Sequence, residues 1–171
     1  KSVKAPVAGL WCGLTVAIAM LDQLAKSLVS DHMTLLEIRP ISPFFNLVHV
    51  LNPGAAFSFL ASAGGWQRYF FLAIAVLACG WLVVILSRPR STTETVGFAL
   101  ILGGAFSNAL DRALRGPVVH YFDFHWNSWH WPAFNIADVA ICIGAGMVAF
   151  LTINSGNQFN NQHSGAANAN H

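Results

Sequence analysis

The chain has 171 residues, of which 55% are apolar and only 9% charged, against about 25% charged in an ordinary soluble domain. That balance points to a membrane protein, with length for about four spans plus loops and tails. A net charge of +2 is too small to imply nucleic acid, and no nucleic-acid partner is expected.

Lys1 and Lys4 precede an apolar run over about 8–29. The run is too long for a signal-peptide core and lacks a clean small-residue cleavage site, so it predicts a first transmembrane helix. Near its far end Asp22 and Lys26 stand four apart, acid first, which is the favoured order for a helix pair. They either neutralise one another at the interface or help to shape a site.

A loop covers 30–66. Within it, 44–51 is rich in strand formers, with Pro40 and Pro43 before it and Asn52-Pro53-Gly54 after it. This predicts a short sheet or hairpin on the membrane face. Gly54 after Asn-Pro marks a tight turn where the backbone comes close to something, and 55–60 returns the chain toward the bilayer.

A second span is expected at about 68–86, ended by the polar turn 87–94. A third and shorter one, about 95–111, carries Gly97, Gly103, Gly104 and Ala105, small residues that permit close helix contact. The connection 113–134 holds Tyr121, Phe122, Phe124, Trp126, Trp129 and Trp131, the composition of an interfacial aromatic belt. The fourth span is about 135–153. Residues 154–171 are mainly Asn, Gln, Gly, Ala and Ser and read as a disordered tail. The expected organisation is one unit, 1–153, followed by that tail. Cys12, Cys79 and Cys142 fall in separate apolar runs and read as buried free thiols. Basic residues are spread over both sides, so charge asymmetry selects no orientation.

In a chain so poor in charge, the stretch 103–138 gathers Asn108, Asp111, Arg112, His120, Asp123, Asn135 and Asp138. Ionisable groups at a bilayer edge are costly unless paired or used, so the cluster is a candidate functional site. Asn108, Asp111 and Arg112 are spaced to share a helix face, as are Asn135 and Asp138. Polar glue between helices, worth about 0.6–2 kcal/mol per residue, is the competing account. His120, His125 and His130 recur at a spacing that suits neither helix nor strand, so no metal site is expected. A scaffold or transporter subunit would instead place an ionisable group near mid-bilayer or break a helix there.

Four motifs occur in order: Asp22-Gln23-Leu24-Ala25-Lys26, Asn52-Pro53-Gly54-Ala55-Ala56-Phe57-Ser58-Phe59, Gly103-Gly104-Ala105-Phe106-Ser107-Asn108-Ala109-Leu110-Asp111-Arg112, and Phe134-Asn135-Ile136-Ala137-Asp138. Through them the chain resembles, over 8–153, the lipoprotein signal peptidases (signal peptidase II). The resemblance implies an all-α membrane protein with four transmembrane helices and a small extracytoplasmic β-sheet cradle. It implies an aspartyl endopeptidase of the bacterial inner membrane with cytoplasmic termini and the active site at the extracytoplasmic face. The implied partners are diacylglyceryl-modified prolipoproteins and membrane lipids, with no cofactor and a monomeric state. Asp138 matches one catalytic aspartate. Asn52, Gly54, Asn108, Arg112 and Asn135 match substrate-binding and orienting positions, and Asp22 and Lys26 match structural supports.

One position departs. Where the resemblance implies Val-Val-Asp, the chain reads Val118-Val119-His120. Two close carboxylates supply an acid and a base because both cannot ionise easily. A histidine beside Asp138 is expected to take a proton and form an ion pair instead. Three readings stand open: an inactive or engineered peptidase that still binds substrate or inhibitor; Asp123 as a substitute acid; or His120 and Asp138 as a His–carboxylate base pair of lowered efficiency. An odd offset on an extended segment turns Asp123 to the opposite face, so the second reading needs a bulge or helical turn.

Overall fold

The computed structural model describes residues 8–54 and 66–168; the return expected at 55–60 lies outside the described residues, as do 169–171. In chain order the elements are α1 (Ala8–His32), β1 (Ile38–Ser42), β2 (Phe45–Asn52), α2 (Trp66–Leu86), α3 (Thr92–Leu114), β3 (Val118–Trp126), β4 (Trp129–His130) and α4 (Ile136–Asn168). The fold is mostly helical, with one small antiparallel sheet ordered β1-β2-β3-β4.

Among the described residues, three helical stretches are long and apolar enough to cross a membrane: Gly9–His32, Trp66–Leu86 and Ile136–Asn154. Helix α2 is apolar on every side and leaves Phe70, Leu77, Trp81 and Val84 exposed, as expected of a helix that faces lipid. Helix α3 is more polar because it sits in the middle, packed on α1, α2 and α4. Its start is set by Ser91 and Glu94, which form a reciprocal capping box. At its end, the Arg68 guanidinium of α2 donates to the carbonyls of Arg112 and Ala113, both at 2.6 Å, satisfying acceptors that a helix end leaves open.

The small residues of the third span do what their pattern predicts. A Cβ on Gly104 would lie 2.3 Å from the Ala137 carbonyl oxygen, and one on Gly144 would lie 2.4 Å from that of Gly97. Helices α3 and α4 therefore touch backbone to backbone, which brings Asn108 within reach of the start of α4.

Strand β2 follows the reading of 44–51, with partners Asn46↔Asp123 and Val50↔His120 and an irregularity between Leu47 and Val50. The aromatic connection 113–134 is largely strand, β3 and β4, rather than only a belt. Its Trp126, Trp129 and Trp131 remain exposed. Buried Val29, Met33, Val119 and Tyr121 form one cluster that ties the end of α1 to β3.

Helix α4 continues through Asn168, into the stretch read as a tail; extending an established helix costs little per residue compared with starting one, and no proline follows Pro132 to stop it. One expectation is corrected. Cys12 and Cys142 are exposed, not buried, and Cys79 is intermediate; all three are free. An apolar residue on a membrane helix can face lipid as readily as protein.

Candidate active site

The site is built on the first turn of α4, where every backbone amide from Asn135 to Asp138 has an internal acceptor. The Asn135 amide donates to Asp138 Oδ2 at 3.2 Å, and the Asp138 amide donates to Asn135 Oδ1 at 2.9 Å. This is the reciprocal arrangement of a capping box. The Ile136 amide donates to the Tyr121 hydroxyl at 3.1 Å, and the Ala137 amide to Asp22 Oδ1 at 3.0 Å. Tyr121 in turn donates its hydroxyl to Asp22 at 3.1 Å. The start of α4 is thus held by α1 and β3, and a carboxylate near that end is favoured by the helix dipole.

Beneath it lies a buried charge cluster. Lys26 Nζ pairs with Asp22 at 2.6 Å and with Asp111 at 2.7 Å, all three side chains being fully buried. Burying charges this deeply requires that each be paired and hydrogen-bonded. Ser107 donates to Asp22 at 2.7 Å, and Gln23 donates to Asp111 at 2.9 Å. Arg115 reaches Asp111 from the more exposed side. The pair predicted at Asp22 and Lys26 is formed, and Lys26 extends it to Asp111 and Asn108.

The cluster fixes the orientation of an amide. Asn108 Oδ1 accepts from Lys26 Nζ at 2.9 Å and from Asn135 Nδ2 at 3.2 Å. Its Nδ2 is left to donate to Asp138 Oδ1, at 2.9 Å. An Asn amide has one acceptor end and one donor end, so two donors at Oδ1 dictate which end faces the carboxylate. Asn135 Nδ2 also donates to the Val119 carbonyl at 3.2 Å, tying α4 to the strand that carries His120.

His120 Nε2 lies 3.5 Å from Asp138 Oδ2. Burial pushes the imidazole pKa below its ordinary 6.5, against the pull of Asp138 and of a hydrogen bond to the Ala133 backbone; Lys26 and Arg112 push it further down. Burial therefore works against the imidazolium that the expected ion pair with Asp138 needs.

Both side chains open onto a groove of 760 Å³ whose walls include Asn52, Pro53, Cys142 and Ile143. Asn52 also closes the predicted turn: its Oδ1 accepts from the Gly54 amide at 2.8 Å. Gly54 has φ of +99°, and a Cβ there would lie 2.3 Å from the Phe71 ring. The close approach read from Asn-Pro-Gly is thus to a side chain of α2. Arg112 donates to the Asn108 carbonyl at 3.3 Å and lies over the Phe71 ring, 5.7 Å from its centroid. Its Nε is buried with no hydrogen-bond partner among the described residues.

Asp123 is not brought to Asp138. Strand β3 runs straight past it, and its carboxylate accepts from Asn46 at 2.8 Å and His130 at 2.9 Å. Burial raises its pKa, but those two bonds together with the charges of His130 and His125 outweigh burial and hold it below the ordinary 3.8. Tyr121 and Ser107 are the site residues that sequence reasoning missed; Ser107 sat inside a quoted motif, and Tyr121 was hidden among the belt aromatics.

A carboxylate with fixed donors thus stands at the mouth of the groove, over a buried charge cluster. The family described as Signal peptidase (SPase) II matches residues 14–154. The chain belongs to the signal peptidase II family. Lipoprotein signal peptidases similar to it include one from Serratia marcescens, 51% identical over 75% of each chain, and one from Actinobacillus succinogenes, 43% identical over 93% of this chain and 98% of the relative. Another, from Ralstonia nicotianae, is 52% identical over 80% of each. A solved bacterial membrane enzyme superposes with a TM-score of 0.81 at 25% identity, covering 92% of this chain and 96% of that one, and a second with 0.78 at 26%, covering 89% and 97%. As a member of this family the chain is an aspartic-type membrane endopeptidase of bacterial kind.

Proposed function

We propose that this chain removes signal peptides from diacylglyceryl-modified prolipoproteins, with Asp138 activating the attacking water and His120 lowering the rate. The observation that carries the reading is the Asp138 carboxylate, held by Asn108 and Asn135 at the mouth of an apolar groove, with His120 Nε2 3.5 Å away. The groove suits an extended, apolar peptide segment delivered from the bilayer. Asn108 and Asn135 orient the carboxylate. Asn52, Gly54 and Arg112 shape the mouth where the substrate backbone passes, and Asp22 and Lys26 brace the floor.

In a carboxylate pair, one member takes a proton from water while the other gives one to the scissile carbonyl. Here the two facing atoms are a carboxylate oxygen and an imidazole nitrogen. With the imidazole neutral, the site offers two bases and no acid. Hydrolysis by Asp138 and His120 therefore proceeds without protonation of the carbonyl, and the chain binds substrate better than it cleaves it.

All four helices cross the bacterial inner membrane, with both termini in the cytoplasm, the sheet and groove on the extracytoplasmic face, and lipid around a monomer. Helix α3 has 23 residues, about 34 Å at 1.5 Å per residue, enough for the hydrocarbon core. Its polar residues are tolerated because α1, α2 and α4 surround it.

The deciding experiment is cleavage of a diacylglyceryl-modified prolipoprotein in detergent by this chain, His120→Asp and Asp138→Asn. Cleavage by His120→Asp about 10²–10⁴-fold faster than by the unaltered chain, and none by Asp138→Asn, is the expected result. No cleavage by His120→Asp, or cleavage that survives Asp138→Asn, overturns the reading.

A further inference from the structure

His120 and Tyr121 are neighbours on β3 and face opposite ways, as alternate residues of a strand do. His120 lines the groove. Tyr121 turns inward, is only 2% exposed, and clusters with Val29 and Met33. Its hydroxyl serves two partners, donating to Asp22 Oδ1 and accepting the Ile136 amide, each at 3.1 Å. Ile136 is the first residue of α4, and the leading amides of a helix have no acceptor within it. Asp22 Oδ1 takes the next amide, that of Ala137, at 3.0 Å. Asp138 is the acidic residue of this same first turn. Among the described residues its Oδ2 accepts one backbone amide, that of Asn135, while Oδ1 accepts from Asn108. The junction of strand and helix does not depend on the hydroxyl, because the backbone of Phe134 is already bonded to Tyr121 and Phe122.

We propose that the Tyr121 hydroxyl is a positioning group for the peptidase reaction: by taking the Ile136 amide, it keeps the Asp138 carboxylate aimed into the groove. The inference rests on the reading of Asp138 as the group that activates water, and adds to it a buried residue outside the groove. Without the hydroxyl, the Ile136 N–H is an inward-facing donor with no acceptor, a costly state. A turn of the Asp138 side chain back onto its own helix satisfies that donor at the expense of the bond from Asn108. Misplacing a reacting group by about 1 Å costs about 10²-fold in rate, so a small rotation suffices.

The test uses the full chain in detergent, with His120→Asp as the parent for kinetics on a diacylglyceryl-modified prolipoprotein. Tyr121→Phe keeps the ring in its cluster and removes only the hydroxyl. It is expected to lower kcat about tenfold or more, with KM within about twofold. Val29→Ala loosens the same cluster without touching the amides of α4, and is expected to keep kcat within about twofold. Proline has no N–H and suits the first helical position. Adding Ile136→Pro to Tyr121→Phe therefore removes the stray donor and is expected to return part of the lost kcat. A second readout needs no cleavage: the carboxyl ¹³C resonance of Asp138, assigned by its loss in Asp138→Asn. It is expected to move in Tyr121→Phe, to return with Ile136→Pro, and to stay in place in Val29→Ala. An unchanged kcat in Tyr121→Phe, an equal loss in Val29→Ala, or no recovery with Ile136→Pro overturns the proposal. So does loss of the thermal unfolding transition in Tyr121→Phe, which would make the hydroxyl a support of the whole fold. A parent that cleaves nothing overturns the peptidase reading instead, and the Asp138 resonance then decides whether the hydroxyl aims the carboxylate.

Discussion

Asp22 on α1 accepts a hydrogen bond at 3.0 Å from the amide of Ala137 on α4. The first helix thereby caps the last one, immediately before Asp138. The same carboxylate holds Tyr121, Ser107 and Lys26, so one buried side chain joins four elements of structure.

Lys26→Met tests that foundation. It leaves Asp22 buried without a cation and Asp111 paired with Arg115 alone, a change that costs about 3–5 kcal/mol. Thermal unfolding in detergent is expected to show a clearly lowered midpoint. Adding Asp22→Asn to Lys26→Met removes the uncompensated charge and is expected to recover part of the loss.

Gly104→Ala places a Cβ 2.3 Å from the Ala137 carbonyl oxygen, an overlap that only separation of α3 and α4 relieves. Overpacking of this sort costs about 1–3 kcal/mol. The displacement pulls Asn108 from Asp138, so in a His120→Asp background the cleavage rate is expected to fall by more than the stability does. Equal rates for His120→Asp with and without Gly104→Ala would contradict this.

His120 confers a pH dependence with a definite sign. Its folded-state pKa is below the ordinary 6.5 because burial disfavours the imidazolium. Below that value the unfolded chain binds a proton that the folded chain resists, so stability declines as the pH drops through 6.5 and the decline levels off under the folded pKa. Above it, both states are neutral and the contribution vanishes. Unfolding midpoints of the unaltered chain and His120→Asn, compared from pH 7.5 down to about pH 5, are expected to show a smaller fall in the variant.

Asp123→Asn separates the two aspartates of β3 and α4. Its carboxylate is spent on Asn46 and His130, away from the groove. Stability is expected to decrease by about 1–3 kcal/mol, while cleavage by the His120→Asp background stays within a small factor. Abolition of cleavage would restore Asp123 as an acid in the reaction.

Much of this was legible beforehand for identifiable reasons. Helix α2 announces itself by an unbroken apolar run, and β2 by strand formers between proline and Asn-Pro-Gly. The α3–α4 contact is visible as Gly97, Gly103 and Gly104. Strand β3 was obscured because Val118–Trp126 is as suitable for an interfacial belt as for a strand, and only pairing with β2 distinguishes them. For His120 the sequence displays the neighbouring Asp138 but not the burial that opposes its pull on the imidazole. Tyr121 was overlooked because its value lies in its hydroxyl reaching Asp22, ninety-nine positions away, which no local pattern encodes.

Asp138 both faces the groove and closes the cap on its own helix. The direction in which its carboxylate points is consequently an angle, set by where α4 begins. Shifting that start by one residue would swing the carboxylate through about 100°, out of the groove and away from both Asn108 and His120. An inserted residue at this point of the chain would thus silence the enzyme while leaving its membrane span almost unchanged in length.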